Sequence, residues 1–480
     1  MTTTERERNA TGEDEDSPLL QDPNKFLKRD ATTTPLPRAQ LAVIYAIKLV
    51  LPVAHTQILP YFNKMIEGFD LPGGSSNIGY YSGLLVTCHT AGQISTTYAW
   101  GRLSDWIGRT SVIAIGVTGL GFSTLLFGSS QTLTTALIAR VLTGIFSGFV
   151  GVIHSVVGEL SDSTNQSTAF PFYDIISALG FIIGPLIGGA FAEPAAQFPG
   201  WFDTPFFRKY PYILPCLVAN ILCIFAAFLS VFYLLVEPPI PQSYGALSSE
   251  EPTPPPALEK PPSLGSLLAL PVIRALFTSQ LMLGFLAAAF NTVFVLLAYT
   301  PIEDGGLSMN PRKIAGALSI MGFVSILLKA SLPIFLRRID ALHVFRFTLL
   351  TWPLTFAFLP LLNVLARATG PERSARAEAG LWIAISFVLF MSRLGSLAFS
   401  IVMILTKDHT PTSLALGTTN SLSELFQMAG IAIGAPFISS LFAFSVSRGV
   451  SGGHLWAIVI CVLSLLGDFS ASRMAKHRFA

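Results

Sequence analysis

Charge is what this sequence has least of. Aspartate, glutamate, lysine and arginine together make up 12% of its 480 residues, against roughly 25% in soluble proteins. A water-soluble chain of that length could not cover its surface with so few charges. Acid and base nearly balance at a net +2, and no basic run or stripe is present, which argues against nucleic acid as a partner. Cysteine is scarce too. Cys88, Cys216, Cys223 and Cys461 all lie inside apolar stretches. They show neither C-x-x-C spacing nor the density of a disulfide scaffold, so they read as small buried hydrophobes. No histidine-rich stretch suggests a metal-binding loop. No G-x-S-x-G or H-E-x-x-H arrangement is found, so neither an enzyme, a metal nor a cofactor is expected. A cleavable signal peptide is not evident at the start.

Apolar residues are what the chain has in excess, at 51% with a mean hydropathy of +0.59. The runs are long and do not alternate, which in lipid means helices rather than a barrel. Spans are read near 39–62, 79–100, 111–128, 133–155, 168–192 and 211–236, then near 271–298, 313–335, 344–366, 379–404, 413–443 and 454–471. The fold class is therefore an all-α membrane protein with twelve transmembrane helices. Six lie on either side of a polar, proline-rich linker at 237–268. The domain reading is a cytosolic tail at 1–37, a six-helix bundle at 38–236, the linker, a second bundle at 269–472 and a short tail at 473–480. Such halves are expected to be pseudo-symmetric about a central cavity near the midplane. An even number of spans puts both termini on one side. Only the basic residues of the tails place that side in the cytosol, because the short loops divide theirs almost evenly. In the first tail, Glu15-Asp-Ser-Pro-Leu-Leu20 resembles the acidic dileucine signal that sorts proteins to vacuoles or lysosomes. Vacuolar and plasma membranes both stay open. The sequons at Asn9 and Asn165 fall on the cytosolic side and should be unglycosylated.

Three motifs carry the functional reading. Between spans two and three runs Gly101-Arg-Leu-Ser-Asp-Trp-Ile-Gly-Arg109. Glycine at 101 and 108 suits a sharp turn between packed helix ends. Asp105 is placed to neutralise the positive N-terminus of a neighbouring helix, and Thr410-Pro-Thr412 reads as the start of such a helix in span eleven. Span four carries Arg140-Val-Leu-Thr-Gly144 and Gly148, with a full charge about seven residues, roughly 10 Å, inside the membrane. Span five carries Gly180, Gly184, Pro185, Gly188 and Gly189, a smooth face with a proline bend. Gly430 and Gly434 echo it on span eleven.

The first of these motifs resembles the signature loop of the major facilitator superfamily, departing from it at Trp106 and Thr110, where a cation is usual. In that family the aspartate docks on span eleven when the inner gate is closed. Arg140 to Gly144 is similar to the family's R-x-x-x-G element, associated with proton handling. The glycines of span five resemble the pattern of proton-coupled drug antiporters within the superfamily. Leu51-Pro-Val-Ala through Pro60-Tyr61 looks like the first span of fungal and plant members of the zinc-induced facilitator group, with Leu51 in place of an acid. The resemblance, covering residues 39–471, implies a secondary transporter that exports or sequesters a small organic solute by exchange with protons, acting as a monomer in the lipid bilayer. The alternative is a transport-dead receptor that keeps the fold.

Ionisable groups inside spans are functional candidates by default. Arg140, Glu424, Asp174 and His89 are the candidates for proton coupling. Glu424 and Asn420, four residues apart, share a polar face near the middle of span eleven. His89 shares a face with Gln93, and histidine titrates near neutral pH. Lys48, His55, Gln93, Gln280, Asn291, Lys329, Arg393 and Asn420 complete the cavity candidates. For Glu424 and His89 the plainer reading is a packing hydrogen bond. The cargo is not legible, because one fold hosts many functions.

Overall fold

The computed structural model describes residues 38–69, 71, 78–160, 166–234, 268–368, 375–410 and 413–478. The acidic tail with Leu19 and Leu20, Asn165 and nearly all of the proline-rich linker lie outside the described residues. The first half contains α1 (Arg38–Thr56), α2 (Ile78–Ile107), α3 (Arg109–Gly128), α4 (in two pieces, Leu133–Ser147 and Val150–Leu160), α5 (Gln166–Phe191) and α6 (Ile213–Tyr233). The second contains α7 (Pro271–Tyr299), α8 (Pro311–Leu336), α9 (Ala341–Ala368), α10 (Ala375–His409), α11 (Ser413–Arg448) and α12 (Leu455–Arg478). Among the described residues no strand occurs.

Nine of these helices are long and apolar enough to cross a membrane by composition alone. α2 falls short of that measure because Thr87, His89, Gln93 and Ser95 dilute it. A helix that lines a polar interior forfeits hydropathy in this way. On α6 the lipid-facing stripe is unmistakable: Ile221, Phe225, Phe228 and Phe232 are exposed at helical spacing.

Helix ends follow local chemistry more than the apolar runs do. The first span is not one continuous helix over 39–62. It stops at Thr56, turns through Gln57–Tyr61 and resumes as Phe62–Glu67. Pro52 lies inside α1, and the Thr56 hydroxyl donates back to its carbonyl at 2.7 Å. α4 breaks at Gly148-Phe149 because α2 captures a carbonyl there. Trp100 Nε1 and Thr96 Oγ1 donate to the Ile145 oxygen at 2.7 and 3.0 Å, and the Gly148 amide shares it. α4 starts on a capping box of Thr132 and Thr135, and α8 on Asn310, which accepts from the Lys313 amide at 2.9 Å ahead of Pro311. α12 runs on to Arg478, through residues read above as a tail. The α5–α6 connection folds into three short turns, Pro194–Gln197, Pro199–Phe202 and Pro205–Lys209, each with proline at its first position. There Arg208 grips both oxygens of Asp203 at 2.6 and 2.7 Å, which holds that exposed carboxyl below its usual range.

The two halves meet along matched seams. In the first half α5 lies on α1, and in the second α11 lies on α7. Across the halves α5 meets α8, and α11 meets α2. Glycine makes each approach possible. A Cβ added at Gly188 would stand 1.8 Å from the Gln57 carbonyl oxygen, and one at Gly430 would stand 2.0 Å from that of Leu281. At Gly189 it would meet Ala315 of α8 at 2.4 Å, and at Gly83 it would meet Ser439 of α11 at 1.9 Å. The echo between spans five and eleven is therefore structural: both glycine faces seat on the first helix of their own half.

All the cross-half contacts at Gly79, Gly83 and Gly189 fall at the end of the bundle away from residues 38 and 478, called distal below. Asn63 Nδ2 donates there to the Val295 carbonyl at 3.4 Å, Arg312 Nε to Gln197 Oε1 at 2.9 Å, and the Tyr299 hydroxyl to Glu67. Ser319 Oγ reaches the Ile182 carbonyl at 3.2 Å, nearer the middle. The halves are closed against each other at the distal end.

Candidate substrate and proton site

The site is built first by the packing of α2 on α4. Gly92 and Gly144 let the two backbones touch. A Cβ at Gly144 would lie 2.0 Å from the His89 carbonyl oxygen, and one at Gly92 would lie 2.6 Å from that of Val141. One turn from Gly144, this contact carries Arg140 into the interior, where it is 3% exposed. Its Nε reaches the Leu85 carbonyl at a long 3.5 Å, and its guanidinium stands 5.9 Å from the Phe127 ring centre. The rings of His55 on α1 and His89 on α2 stand beside it, 4.7 Å apart and tilted by 38°. His89 is 5% exposed, and its Nδ1 has no hydrogen-bond partner. The plain reading of His89 as a packing hydrogen bond therefore does not account for this nitrogen.

Distal to this cluster lies a knot that the sequence did not announce. The Tyr61 hydroxyl donates to Gln57 Oε1 at 2.8 Å and lies 3.2 Å from the Cys216 sulfur, and Gln57 Nε2 donates to that sulfur at 3.4 Å. Tyr212 stacks on Tyr61 at 5.0 Å. Cys216 is free and fully buried, as its composition-based reading holds, but it also serves as a hydrogen-bond partner. Ser82 Oγ donates to Asn63 Oδ1 at 2.6 Å and completes the tie between α1, α2 and α7. The signal missed was Asn63, Lys64 and Glu67 directly after Pro60-Tyr61, polar residues that follow the apolar span. Lys64 pairs with Glu193 at 2.6 Å.

The second half contributes its own cation, half-buried. Arg393 on α10 donates to Asn291 Oδ1 of α7 at 3.5 Å and to Ser392 Oγ at 3.3 Å, with the Phe290 ring centre 5.9 Å away. Arg393 and Asn291 were both read as cavity residues, and the structure brings them together. Gln280, three turns earlier on α7, is 6% exposed with Oε1 unpartnered. Lys48 stands over the Tyr173 ring at 4.2 Å. Gln93 is half-buried, one turn beyond His89.

Other expectations fare differently. Glu424 is exposed and lies in the first third of α11, which runs on to Arg448. Lys329 is exposed on α8 and lies outside the cluster. The side chains of Asp105, Asp174 and Asn420 lie outside the described residues. Gly108 makes the α2–α3 turn alone, at φ 90° and ψ 152°, where a side chain is strained. Gly101, in contrast, sits inside α2 with nothing within 4 Å of an added Cβ, because α2 continues to Ile107. Arg109 folds back to donate to Ser104 Oγ at 2.9 Å. The Thr410 hydroxyl donates to the Thr406 carbonyl of α10 at 2.6 Å, while Pro411 and Thr412 lie outside the described residues.

Two six-helix halves that meet through close glycine contacts, each holding an arginine in its interior, have the architecture of a polytopic carrier. The sequence matches the profile described as Major Facilitator Superfamily over residues 58–435, and the chain belongs to that family. It is 32% identical to the major facilitator-type transporter psiT2 of Psilocybe cyanescens, over 98% of both chains. It is 25% identical to the multidrug transporter mfsB of Aspergillus fumigatus, over 92% of this chain and 86% of that one. Zinc induced facilitator-like 1 of Arabidopsis thaliana is 28% identical over 62% of this chain and 64% of its own, in keeping with the fungal and plant resemblance. Among solved structures, a bacterial homologue of the lysosomal transporter Spinster, in an inward-facing occupied conformation, superposes with a TM-score of 0.65 at 13% identity. That match covers 91% of this chain and 96% of the other and bears on fold alone.

Proposed function

We propose that this transporter is a proton-coupled antiporter that carries a small organic solute away from the compartment holding its termini, which we place in the cytosol. The observation that carries the reading is the place of the span-five motif. Gly180, Gly184 and Gly188 seat α5 on α1, while Gly189 meets α8 of the opposite half. The run that resembles the antiporter pattern thus lies at the junction that must move when the halves rock. Two relatives named as a multidrug transporter and an efflux pump support export. His89, beside Arg140 and with an unpartnered nitrogen, is the favoured proton carrier. Glu424 and Asp174 are the further candidates.

The test is solute-dependent proton movement in reconstituted vesicles under an imposed pH gradient, across a panel of solutes. Flux that dissipates the gradient is expected. No proton movement with any solute would leave the receptor reading standing. In the same vesicles His89→Gln should flatten the pH dependence of exchange, and an unchanged profile removes His89 from the coupling path. Glu424→Gln tests that carboxylate in the same way. Vacuolar delivery is proposed from the dileucine match and is tested by deleting Leu19 and Leu20. Unaltered delivery makes the match accidental.

A further inference from the structure

The distal closure fixes the depth of both interior arginines, Arg140 buried and Arg393 half-buried. Asn63 binds Ser82 on one side and the Val295 carbonyl on the other. Leu85, whose carbonyl receives Arg140, is three residues past Ser82, roughly 4.5 Å along α2. Asn291, which receives Arg393, is four residues before Val295, roughly 6 Å along α7. Each half therefore holds one guanidinium about a turn beneath the same tie.

Neither guanidinium has a carboxylate. The partners of Arg140 are a carbonyl at 3.5 Å and an aromatic face, and its neighbours are two imidazoles. Arg393 has an amide oxygen, a hydroxyl and an aromatic face. Among the residues whose side chains are described, no aspartate or glutamate is buried. Removing a cation from water without a counter-ion is strongly unfavourable, and the bonds present are long for charged donors, which prefer about 2.7–2.9 Å to an anionic oxygen. The donors are therefore unsaturated. His89 adds a buried polar atom with no partner.

We infer that Arg140 with His55 and His89, and Arg393 with Asn291, form a two-sided site for a small organic oxyanion, a carboxylate or a phosphate monoester. The inference rests on the carrier reading above and adds the charge class of the cargo. A guanidinium matches either oxyanion with two parallel bonds. An amine cargo would instead face two cations and no acid. A neutral cargo would leave both charges uncompensated.

Equilibrium binding separates this inference from the antiport reading, since it needs no gradient. The purified full chain is heated with benzoate, phenyl phosphate, benzyl alcohol or benzylamine, four probes on one ring. Protection by benzoate, phenyl phosphate or both, and by neither of the other two, is expected, and the two anions rank carboxylate against phosphate. Arg140→Gln and Arg393→Gln should each weaken anion protection at least about tenfold, and Arg140→Lys should restore part of it. Should either glutamine variant fail to fold, the other and the lysine variant carry the test. Protection by benzylamine or benzyl alcohol equal to that by the anions overturns the inference, as does no protection by either anion, or full anion protection in the glutamine variants. Anion binding without proton-linked flux would sink the antiport reading alone.

Discussion

Replacing Gly188 with alanine tests the idea that the halves are rigid because glycine lets backbones touch. The added Cβ would lie 1.8 Å from the Gln57 carbonyl oxygen, far inside the 3.0 Å below which real Cβ contacts essentially never fall, and 2.9 Å from its carbonyl carbon. The obstruction is backbone, so no rotamer relieves it. α5 and α1 must part by more than 1 Å there, or Gln57 must move. Overpacking of this kind costs about 1–3 kcal/mol. Moving Gln57 also loosens its bonds to Tyr61 and Cys216, each worth about 1 kcal/mol. The total is about 3–5 kcal/mol. Size-exclusion after graded heating in detergent would read this as a clear drop in the midpoint of surviving monodisperse protein. Gly380→Ala is the control, since nothing lies within 4 Å of its Cβ. In the middle of a helix that change should be neutral or stabilising by about 0.5–1 kcal/mol. A wild-type midpoint for Gly188→Ala would refute the reasoning outright.

Three further outcomes follow from the same geometry. Gly108→Ala should destabilise by about 1–3 kcal/mol, because φ 90° with ψ 152° is open essentially to glycine alone, whereas Gly101→Ala should leave the melting midpoint unchanged or raised. Tyr299→Phe removes the hydroxyl that bridges the halves to Glu67. At about 1 kcal/mol per hydrogen bond, it should shift the population away from distal closure about fivefold, read as a longer distance between spin labels on α5 and α8. Lys64→Gln should barely register in either assay, since its bridge to Glu193 is partly exposed at 40% and 27% and such pairs contribute about 0–1 kcal/mol.

The spans were legible because lipid demands apolar runs, and the two-half architecture because a polar, proline-rich stretch cannot cross. What escaped was whatever hydropathy does not weigh. Hydropathy reports the hydrocarbon layer, so it missed the extensions of α2 to Ile107 and α11 to Arg448. His55 and His89 were both visible as candidates, but their contact depends on how α1 packs against α2, which spacing within one helix does not encode. The same holds for Arg393 and Asn291. Cys216 looked like filler because a thiol scores as apolar, while its bonds to Gln57 and Tyr61 join residues 159 and 155 positions apart. Gly101 misled for another reason. Two glycines near a turn look equivalent in a sequence, yet only Gly108 takes the positive φ.

Those glycines also separate what must stay fixed from what must move. On the seams within a half, an added Cβ at Gly188, Gly144, Gly430 or Gly434 would strike a backbone carbonyl oxygen at 1.8–2.4 Å. Such contacts cannot slide without moving whole helices. Across the halves, Gly79 faces the Ser439 carbonyl oxygen at 2.7 Å and Gly189 the fixed Cβ of Ala315 at 2.4 Å, but Gly83 and Gly322 face the Ser439 hydroxyl and the Ile182 side chain first, which yield by small displacements. The compliant positions of the seam between the halves are therefore Gly83 and Gly322. Alanine at the two classes of position should separate accordingly. Gly430→Ala should lower stability, as at Gly188, with the label distance across the halves unchanged in the protein that survives. Gly322→Ala, which meets the Ile182 side chain of α5, should leave the midpoint nearer wild type and lengthen the α5–α8 distance. Equal effects of both variants on both readouts would mean that the halves do not move as rigid bodies.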